Sequence, residues 1–567
     1  MPRGTDCGVE KMKENKKKTY RRTKENGTNT MEKSPSVYVA ILCVWALCVV
    51  VLLTGCAKIV YQLFTEEFTT ETVGIAVAVV TLLLLNAAML SYMWLGSVKD
   101  FMFSLLFLFG KKRLLKRYDP IIRQTKEDTM SALKAKFGNQ NGAAPRVLLL
   151  YCTCNDFNAE ALTACMQQDY ENFHTVILDD STEDGYKQKI DEFAAVHQDA
   201  VTLVRRENRV GFKAGNLNNY LTNRTDYDYF VVLDSDERIP SDYISEALKY
   251  YAYDENVGVV QAAHKATKGG NLFQNLMGLS VKSNGKICQV MKNFYGSNAL
   301  IGHGMMISRE CFEATHGFPQ VVAEDISFAV DVKNSGFRVL YAPNIVCEEE
   351  FPVNYLCLKK RQAKWVQGNV EFMKKYNRSI TDSKMTWYEK MDVKLSHYNL
   401  PIIPMMSFFI IVCTIALGFL GYDVSRYSLM IVGLMLLFLI SPLIPDFFVH
   451  GRSKNLLKLL GYAFLNFVVY ASLVPMMIGT VSLALFGKKA KFIVTPKEEK
   501  RISVREALRG SLDSILFAAI VGILTYGTYF SLAPTVLMVV CCTLTPIAIL
   551  VANLPVPKQK QSGKLAA

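Results

Sequence analysis

The chain has 567 residues, half of them hydrophobic, and a positive mean hydropathy of +0.16. That is long enough for a catalytic domain plus a membrane domain, and too apolar for an ordinary soluble enzyme. The formal charge is +13, from 64 Lys and Arg against 51 Asp and Glu, and many of the basic residues sit in the N-terminal tail and beside apolar segments. This fits anionic lipid and positive-inside topology, and no nucleic-acid partner is expected. The 14 cysteines are scattered without a CxxC pair of pairs, so they read as buried small hydrophobes and not as a zinc or disulfide framework.

In chain order, the polar tail from Arg3 to Lys33 is expected to be disordered. Val37 to Thr54 and Val73 to Leu95 are long and apolar enough to span a bilayer, and the link between them carries Glu66, Glu67 and Glu71. Basic clusters on the other side, Lys16-Lys17-Lys18, Arg21-Arg22 and Lys111-Lys112-Arg113, place that side in the cytosol. The first apolar segment starts too late and runs too long for an ordinary signal peptide. Phe101 to Phe109 reads as an interfacial helix.

After a Gly/Asn/Pro linker at Asn139 to Pro145 comes a soluble alternation. Strands are predicted at Val147–Cys152, His174–Leu178, Ala200–Val204 and Tyr229–Leu233, with a helix at Ala159–Gln167. Such alternation predicts an α/β domain with a largely parallel sheet. Ligands bind such sheets outside the carboxyl ends of the strands. From Leu400 the chain is apolar again, with spans expected at Ile402–Leu420, Leu429–Ile444, Leu512–Phe530 and Thr535–Leu554. Leu456 to Phe486 has basic flanks on both sides, which argues against a single crossing, so it is read as a long interfacial or re-entrant helix.

Polar motifs punctuate the soluble part. Asp179-Asp180 ends a strand, where an acid can accept hydrogen bonds from a base N–H and a ribose hydroxyl; alone, it also reads as a turn. Phe212 to Asn218, FKAGNLN, offers Lys213 as a phosphate-binding point charge, or simply starts a capped helix. Asp234-Ser235-Asp236 closes the apolar run Phe230–Leu233, and two carboxylates so spaced can share a divalent ion, Mg²⁺ or Mn²⁺, with a diphosphate. Glu324-Asp325 supplies either a helix cap or a general base. Arg361, Gln362, Lys364 and Trp365 lie in a basic amphipathic run, where Trp365 can stack on a sugar and a cation can neutralise a leaving diphosphate. His303 lies between Gly302 and Gly304, where backbone can approach a ligand.

Together these motifs resemble the membrane-integrated family-2 glycosyltransferases, in particular the cellulose synthase-like processive β-glycan synthases, over about Arg146 to Lys497. The resemblance implies a cytosolic GT-A-like domain inserted between transmembrane helices. It assigns the uridine to Asp179-Asp180, metal and diphosphate to Asp234 and Asp236, and the nucleotide site to Lys213–Asn218. The family's TED motif is matched by Ala323-Glu324-Asp325, with Asp325 the base, and its QxxRW motif by Arg361–Trp365, here RxxKW. Phe492, Val494, Thr495 and Lys497 match the gating loop FxVTxK. Lys364 offers a point charge where the family's arginine grips with two hydrogen bonds. Ile301-Gly302-His303-Gly304 stands where cellulose synthases carry Cys-Gly, which argues against cellulose itself. A cyclic-di-GMP-binding domain is not expected after Leu554.

The expected organisation follows: a basic tail (1–35), two membrane helices (36–97), an interfacial helix and linker (98–145), and the glycosyltransferase domain (146–395). Four membrane helices (396–554) then surround the interfacial helix (456–486) and gating loop (487–501), before a cytosolic tail (555–567). The expected activity is that of a processive inverting β-glycosyltransferase in the plasma membrane. It would polymerise sugar from a UDP-sugar, UDP-glucose foremost, and secrete the glycan through its own channel. Its partners would be the donor, the growing glycan, the bilayer, and accessory envelope or regulatory proteins. The alternative is a non-processive membrane enzyme that adds one sugar to a lipid or glycan.

Overall fold

The computed structural model describes residues 31–66, 73–137, 144–422, 429–452, 455–488, 501–528 and 532–555. The expected gating loop, with Phe492, Val494, Thr495 and Lys497, lies outside the described residues.

Seven strands form one mixed sheet: β1 (Val147–Thr153), β2 (Phe173–Asp179), β3 (Val201–Arg205), β4 (Tyr229–Asp234), β5 (Val257–Ala266), β6 (Met305–Ser308) and β7 (Arg338–Glu349). Their order is β3-β2-β1-β4-β6-β5-β7. Pairing is parallel except at β6, which runs antiparallel to both β4 and β5. The four predicted strands are present to within a residue at each end. In β1, Val147, Leu149 and Tyr151 pack into one apolar layer while Leu148 and Leu150 pack into another. Burial on both faces is why this strand reads as a continuous apolar run.

The chain leaves β1 toward β2 and β3, then returns to lay β4 on the other side of β1. That reversal opens a crevice at the carboxyl ends of β1 and β4, the place where open α/β sheets bind ligands. Register sets the contents of the crevice: Thr153 pairs with Asp179, and Cys152 with Asp234.

The helices that bear on function are α1 (Ser36–Glu66), α2 (Val73–Lys116), α3 (Phe212–Leu221), α4 (Glu324–Asn334), α5 (Tyr355–Asp382) and α6 (Trp387–His397). The later apolar helices are α7 (Asn399–Phe419), α8 (Leu429–Ile440), α9 (Leu456–Leu485), α10 (Val504–Gly510), α11 (Leu512–Tyr526) and α12 (Leu532–Ala552). A π-helical turn, Asn284–Gln289, interrupts the helical stretch before β6.

Among the described residues, six helices are long and apolar enough to cross a membrane: Ser36–Thr65, Val73–Ile122, Asn399–Phe419, Met430–His450, Leu456–Leu485 and Thr535–Ala552. The structure differs here from the sequence expectation. Leu456–Leu485, read as interfacial from its basic flanks, has the dimensions of a span; Leu512–Tyr526 qualifies only together with Val504–Gly510, to which it is bent by 57°. Flank charge had outweighed length in that reading, although the two are separate properties of a segment. Phe101 to Phe109 is not a separate helix but continues α2 without a break. Nor is the described end of the tail loose: Met31 is fully buried, and Lys33 Nζ donates to Gly296 O and to Glu389, each at 2.7 Å. A polar composition carries no information about partners some 263 residues away.

Candidate active site

The crevice continues into one chamber of about 760 Å³, bounded by the ends of β1 and β4, the Gly302 loop, the start of α4 and one face of α5. Asp180, Lys213, Asp234, Asp236, His303, Glu324, Asp325, Arg361, Gln362, Lys364 and Trp365 all line it, so nearly every residue singled out from sequence converges there.

Among the described residues, Asp179 is the exception. Its carboxylate is fully buried behind the wall, accepting from Ser181 N at 2.8 Å and from Arg205 Nε at 2.6 Å. Asp180 is gripped by Arg206, whose Nε and Nη2 donate to its two oxygens at 2.9 and 2.6 Å. The same guanidinium donates to Val210 O and Phe212 O, so the pair fixes the loop that enters α3. Of this acid pair only Asp180 lines the chamber; Asp179 braces the strand end.

Lys213 projects from the first turn of α3. Its Nζ pairs with Asp234 and donates to Gly302 O at 2.9 Å. Burial, the largest single influence, works against its charge, but Asp234, Cys152 and Glu324 together outweigh it and raise its pKa. Asp236 accepts from Glu350 N at 3.1 Å. Between the two acids, Ser235 Oγ donates to Asp156 Oδ2 at 2.6 Å, and Asp156 Oδ1 accepts from Thr153 Oγ1 and Cys154 N. Asp156 thus sets the orientation of the DSD turn from β1. The sequence reading missed it because it follows no motif.

A second group lies behind the turn. Glu237 is fully buried, with Oε1 3.0 Å from His264 Nε2 and Oε2 3.2 Å from His303 Nδ1; His303 Nε2 lies 3.3 Å from Glu349 Oε2. Burial favours the neutral acid, yet the two histidines hold Glu237 at about 2. Burial, the largest single influence, likewise opposes the charge on His303, but Glu237, Asp234 and Glu349 together outweigh it and raise its pKa. Gly304, at φ +57°, allows this packing, since a Cβ there would meet Glu237 and His264. Of this set only His303 was singled out from sequence; Glu237, directly after the DSD turn, and His264, a lone imidazole in an apolar strand, were the available signals.

Glu324 and Asp325 form the first turn of α4, whose positive end favours anions. Asp325 Oδ1 accepts from Ile326 N at 2.8 Å, and its side chain lies against Gly302, a close approach that a φ of +92° and a missing Cβ permit. Burial raises both pKa values, and Asp325 beside it carries Glu324 to about 7. Lys213 and Lys364 act in the opposite direction on both acids. From α5, the guanidinium of Arg361 lies between rings, 4.8 Å from Phe351 and 4.5 Å from Trp365. Trp365 remains half-exposed toward the chamber.

Two donor sets could hold a divalent ion. Asp234 and Asp236 offer hard oxygen donors to the chamber, the chemistry Mg²⁺ and Mn²⁺ prefer beside a diphosphate. Glu237, His264 and His303 bring ligand atoms within 4.8 Å of one another.

Residues 229–441 match a family model described as glycosyl transferase family group 2. A curated relative from Oryza sativa subsp. japonica, probable glucomannan 4-beta-mannosyltransferase 9, is 24% identical over 303 residues, covering 50% of this chain and 56% of its own. The chain thus spans little more than half the length of that relative. Among solved structures, the mannosyltransferase PcManGT from Pyrobaculum calidifontis, in complex with GDP-Man and Mn²⁺, is 20% identical with a TM-score of 0.40, covering 64% of this chain and 99% of its own. S. aureus TarS 1-349 is 13% identical with a TM-score of 0.31, covering 55% and 93%. Residues 229–441 are thus similar to a family-2 glycosyltransferase domain, in a chain whose described residues also include helices long enough to cross a membrane.

Proposed function

We propose that this protein is a processive, inverting synthase that adds hexose from a nucleoside-diphosphate sugar to the end of a growing β-glycan and passes the product through its membrane helices. The observation that carries this reading is the half-buried Glu324–Asp325 pair, set in one chamber with Lys213, the DSD turn and the half-exposed Trp365.

Asp325 takes the proton of the acceptor hydroxyl. The freed oxygen forms a bond to the anomeric carbon, and the bond from that carbon to the diphosphate breaks, its electron pair leaving with the nucleotide. Trp365 stacks the acceptor sugar opposite Asp325. Lys364 and Lys213 supply positive charge toward the diphosphate. Asp234 and Asp236 would hold Mg²⁺ or Mn²⁺, which when bound neutralises charge developing on the leaving group. Asp180 faces the nucleoside, and the loop Phe492–Lys497 is assigned to closing over it. The catalytic domain sits on the cytosolic face of the plasma membrane.

UDP-glucose is the first donor to test. The rice relative, a mannosyltransferase by name, supports a second reading in which the donor carries mannose. Purified, detergent-solubilised protein would be given UDP-glucose, UDP-N-acetylglucosamine or GDP-mannose with Mg²⁺ or Mn²⁺. Nucleotide release would be followed and the product sized. A long polymer from one donor supports the proposal and names the sugar. A single added sugar moves the reading to a non-processive transferase.

A further inference from the structure

Behind the DSD turn, three ligand-type side chains converge from separate parts of the chain: Glu237 after β4, His264 on β5 and His303 in the loop before β6. Asp234 and Asp236 face the chamber, whereas Glu237 and His264 are buried behind its wall.

Hydrogen bonding does not account for this cluster. Glu237 Oε1 and His264 Nε2 share one hydrogen bond at 3.0 Å. Glu237 Oε2 and His303 Nδ1 lie 3.2 Å apart, yet both atoms are buried and neither has a well-aligned hydrogen-bond partner among the described residues. Leaving a buried polar atom unmet costs about 1–3 kcal/mol. An ion between the two would meet both lone pairs at once.

The spacing fits an ion. One ligand atom from each of the three residues lies within 4.8 Å of the others. A four-coordinate ion about 2.1 Å from its donors needs them about 3.4 Å apart, and both carboxylate–imidazole separations are already at that scale. The surroundings fit as well. A histidine that binds a metal usually donates its other ring N–H to a carboxylate or carbonyl. His303 Nε2 lies 3.3 Å from Glu349 Oε2, which leaves Nδ1 turned toward the cluster. A Cβ on Gly304 would overlap Glu237 Oε1 and His264 Nε2 alike, so glycine keeps the space beside both donors free. Two imidazoles with one carboxylate suit a borderline first-row ion, Zn²⁺ foremost. Mg²⁺ prefers all-oxygen donors such as those of the DSD turn.

We infer that Glu237, His264 and His303 form a second, structural metal site for Zn²⁺, distinct from the Mg²⁺ or Mn²⁺ site of Asp234 and Asp236. The ion ties the residue after the DSD turn to β5 and to the loop that carries Gly302. His303 also lines the chamber, which gives the ion a way in.

The test is elemental analysis of the full chain, purified in detergent without a histidine tag or chelator, and it requires no turnover. The parent protein should hold about one Zn²⁺ per chain, retained through a wash with excess Mg²⁺. X-ray absorption at the zinc edge should show two imidazole ligands. His264→Gln should lose the zinc, and Asp234→Asn, on the chamber side, should keep it. Glu349→Gln removes only the outer partner of His303 and should weaken Zn²⁺ binding on the order of 10- to 100-fold. UDP or GDP binding reports whether each variant is folded; if His264→Gln is not, the absorption spectrum of the parent decides. Zinc retained by folded His264→Gln, or a spectrum without imidazole, places the ion elsewhere and overturns the site. So does a parent protein that holds no zinc and takes up none from a Zn²⁺ buffer, which would leave Glu237 and His303 as a plain ion pair.

Discussion

At the residue scale, Asp325 bears the heaviest assignment. Asp325→Asn keeps the shape and removes the base, so turnover should fall on the order of 10²–10⁴ with donor binding retained; near-full nucleotide release would end the assignment. A second expectation concerns pH. Burial raises the pKa values of both Glu324 and Asp325, and the Asp325 charge beside it raises that of Glu324 further. The base works only when ionised, so activity should be lost as pH falls through a value above the ordinary carboxylate range. Glu324→Gln leaves Asp325 as the titrating acid of the pair, so that limb of the pH–rate profile should persist; its loss would assign the limb to Glu324. Gly304 offers a third check. At φ +57°, with Glu237 and His264 where a Cβ would lie, Gly304→Ala should lower stability by about 1–3 kcal/mol in thermal unfolding. It should also slow turnover, because the same loop presents Gly302 O to Lys213.

The residues legible in the sequence were those with regular spacing or at the end of an apolar run. Asp234, Asp236, Lys213, Asp325 and Trp365 announced themselves in this way, and all line the chamber. Asp156, Glu237 and His264 did not, since what defines them is a partner across the sheet. Asp179 was legible as a strand-end acid, but Arg205, 26 residues on, has already claimed its carboxylate.

At the scale of elements, one buried carboxylate joins the membrane helices to the catalytic domain. Asp392 of α6 is fully buried and accepts from Tyr38 Oη of α1 at 2.5 Å and from Ser297 N at 2.7 Å. Removing one donor from a buried carboxylate costs about 1–3 kcal/mol. Tyr38→Phe should therefore lower the Tm of the detergent-solubilised protein; an unchanged Tm would mean that water or another donor replaces the hydroxyl. Strands were read well from sequence because alternation and length are local. The antiparallel insertion of β6 was not, because it depends on how the Gly302–Gly304 turn returns the chain between β4 and β5. The span dimensions of α9 were masked by its basic flanks.

At the scale of the whole molecule, topology makes a prediction of its own. Basic residues at Lys111-Lys112-Arg113 close α2 on the side where the proposed catalytic domain begins, and the positive-inside rule predicts that this face is cytosolic. In sealed vesicles, donor added outside should be consumed by inverted vesicles and spared by right-side-out ones until detergent opens them. Equal rates in both would reverse the orientation or show leakage.

Helix α5 carries Arg361, Gln362, Lys364 and Trp365, and it is also fastened to the apolar helices at both ends. Tyr355 Oη meets Ser472 at 2.9 Å, Lys359 meets Asp513 at 2.6 Å, and Lys374 Nζ reaches Ala484 O at 2.9 Å. Tyr355 and Lys374 are 19 residues apart, so the fastened stretch is a rod of about 28 Å at 1.5 Å per residue. A rod riveted near each end cannot pivot like an oar. On the proposed function, Trp365 would then be a fixed pawl that the polymer slides past between additions, without a rocking of one half of the protein on the other.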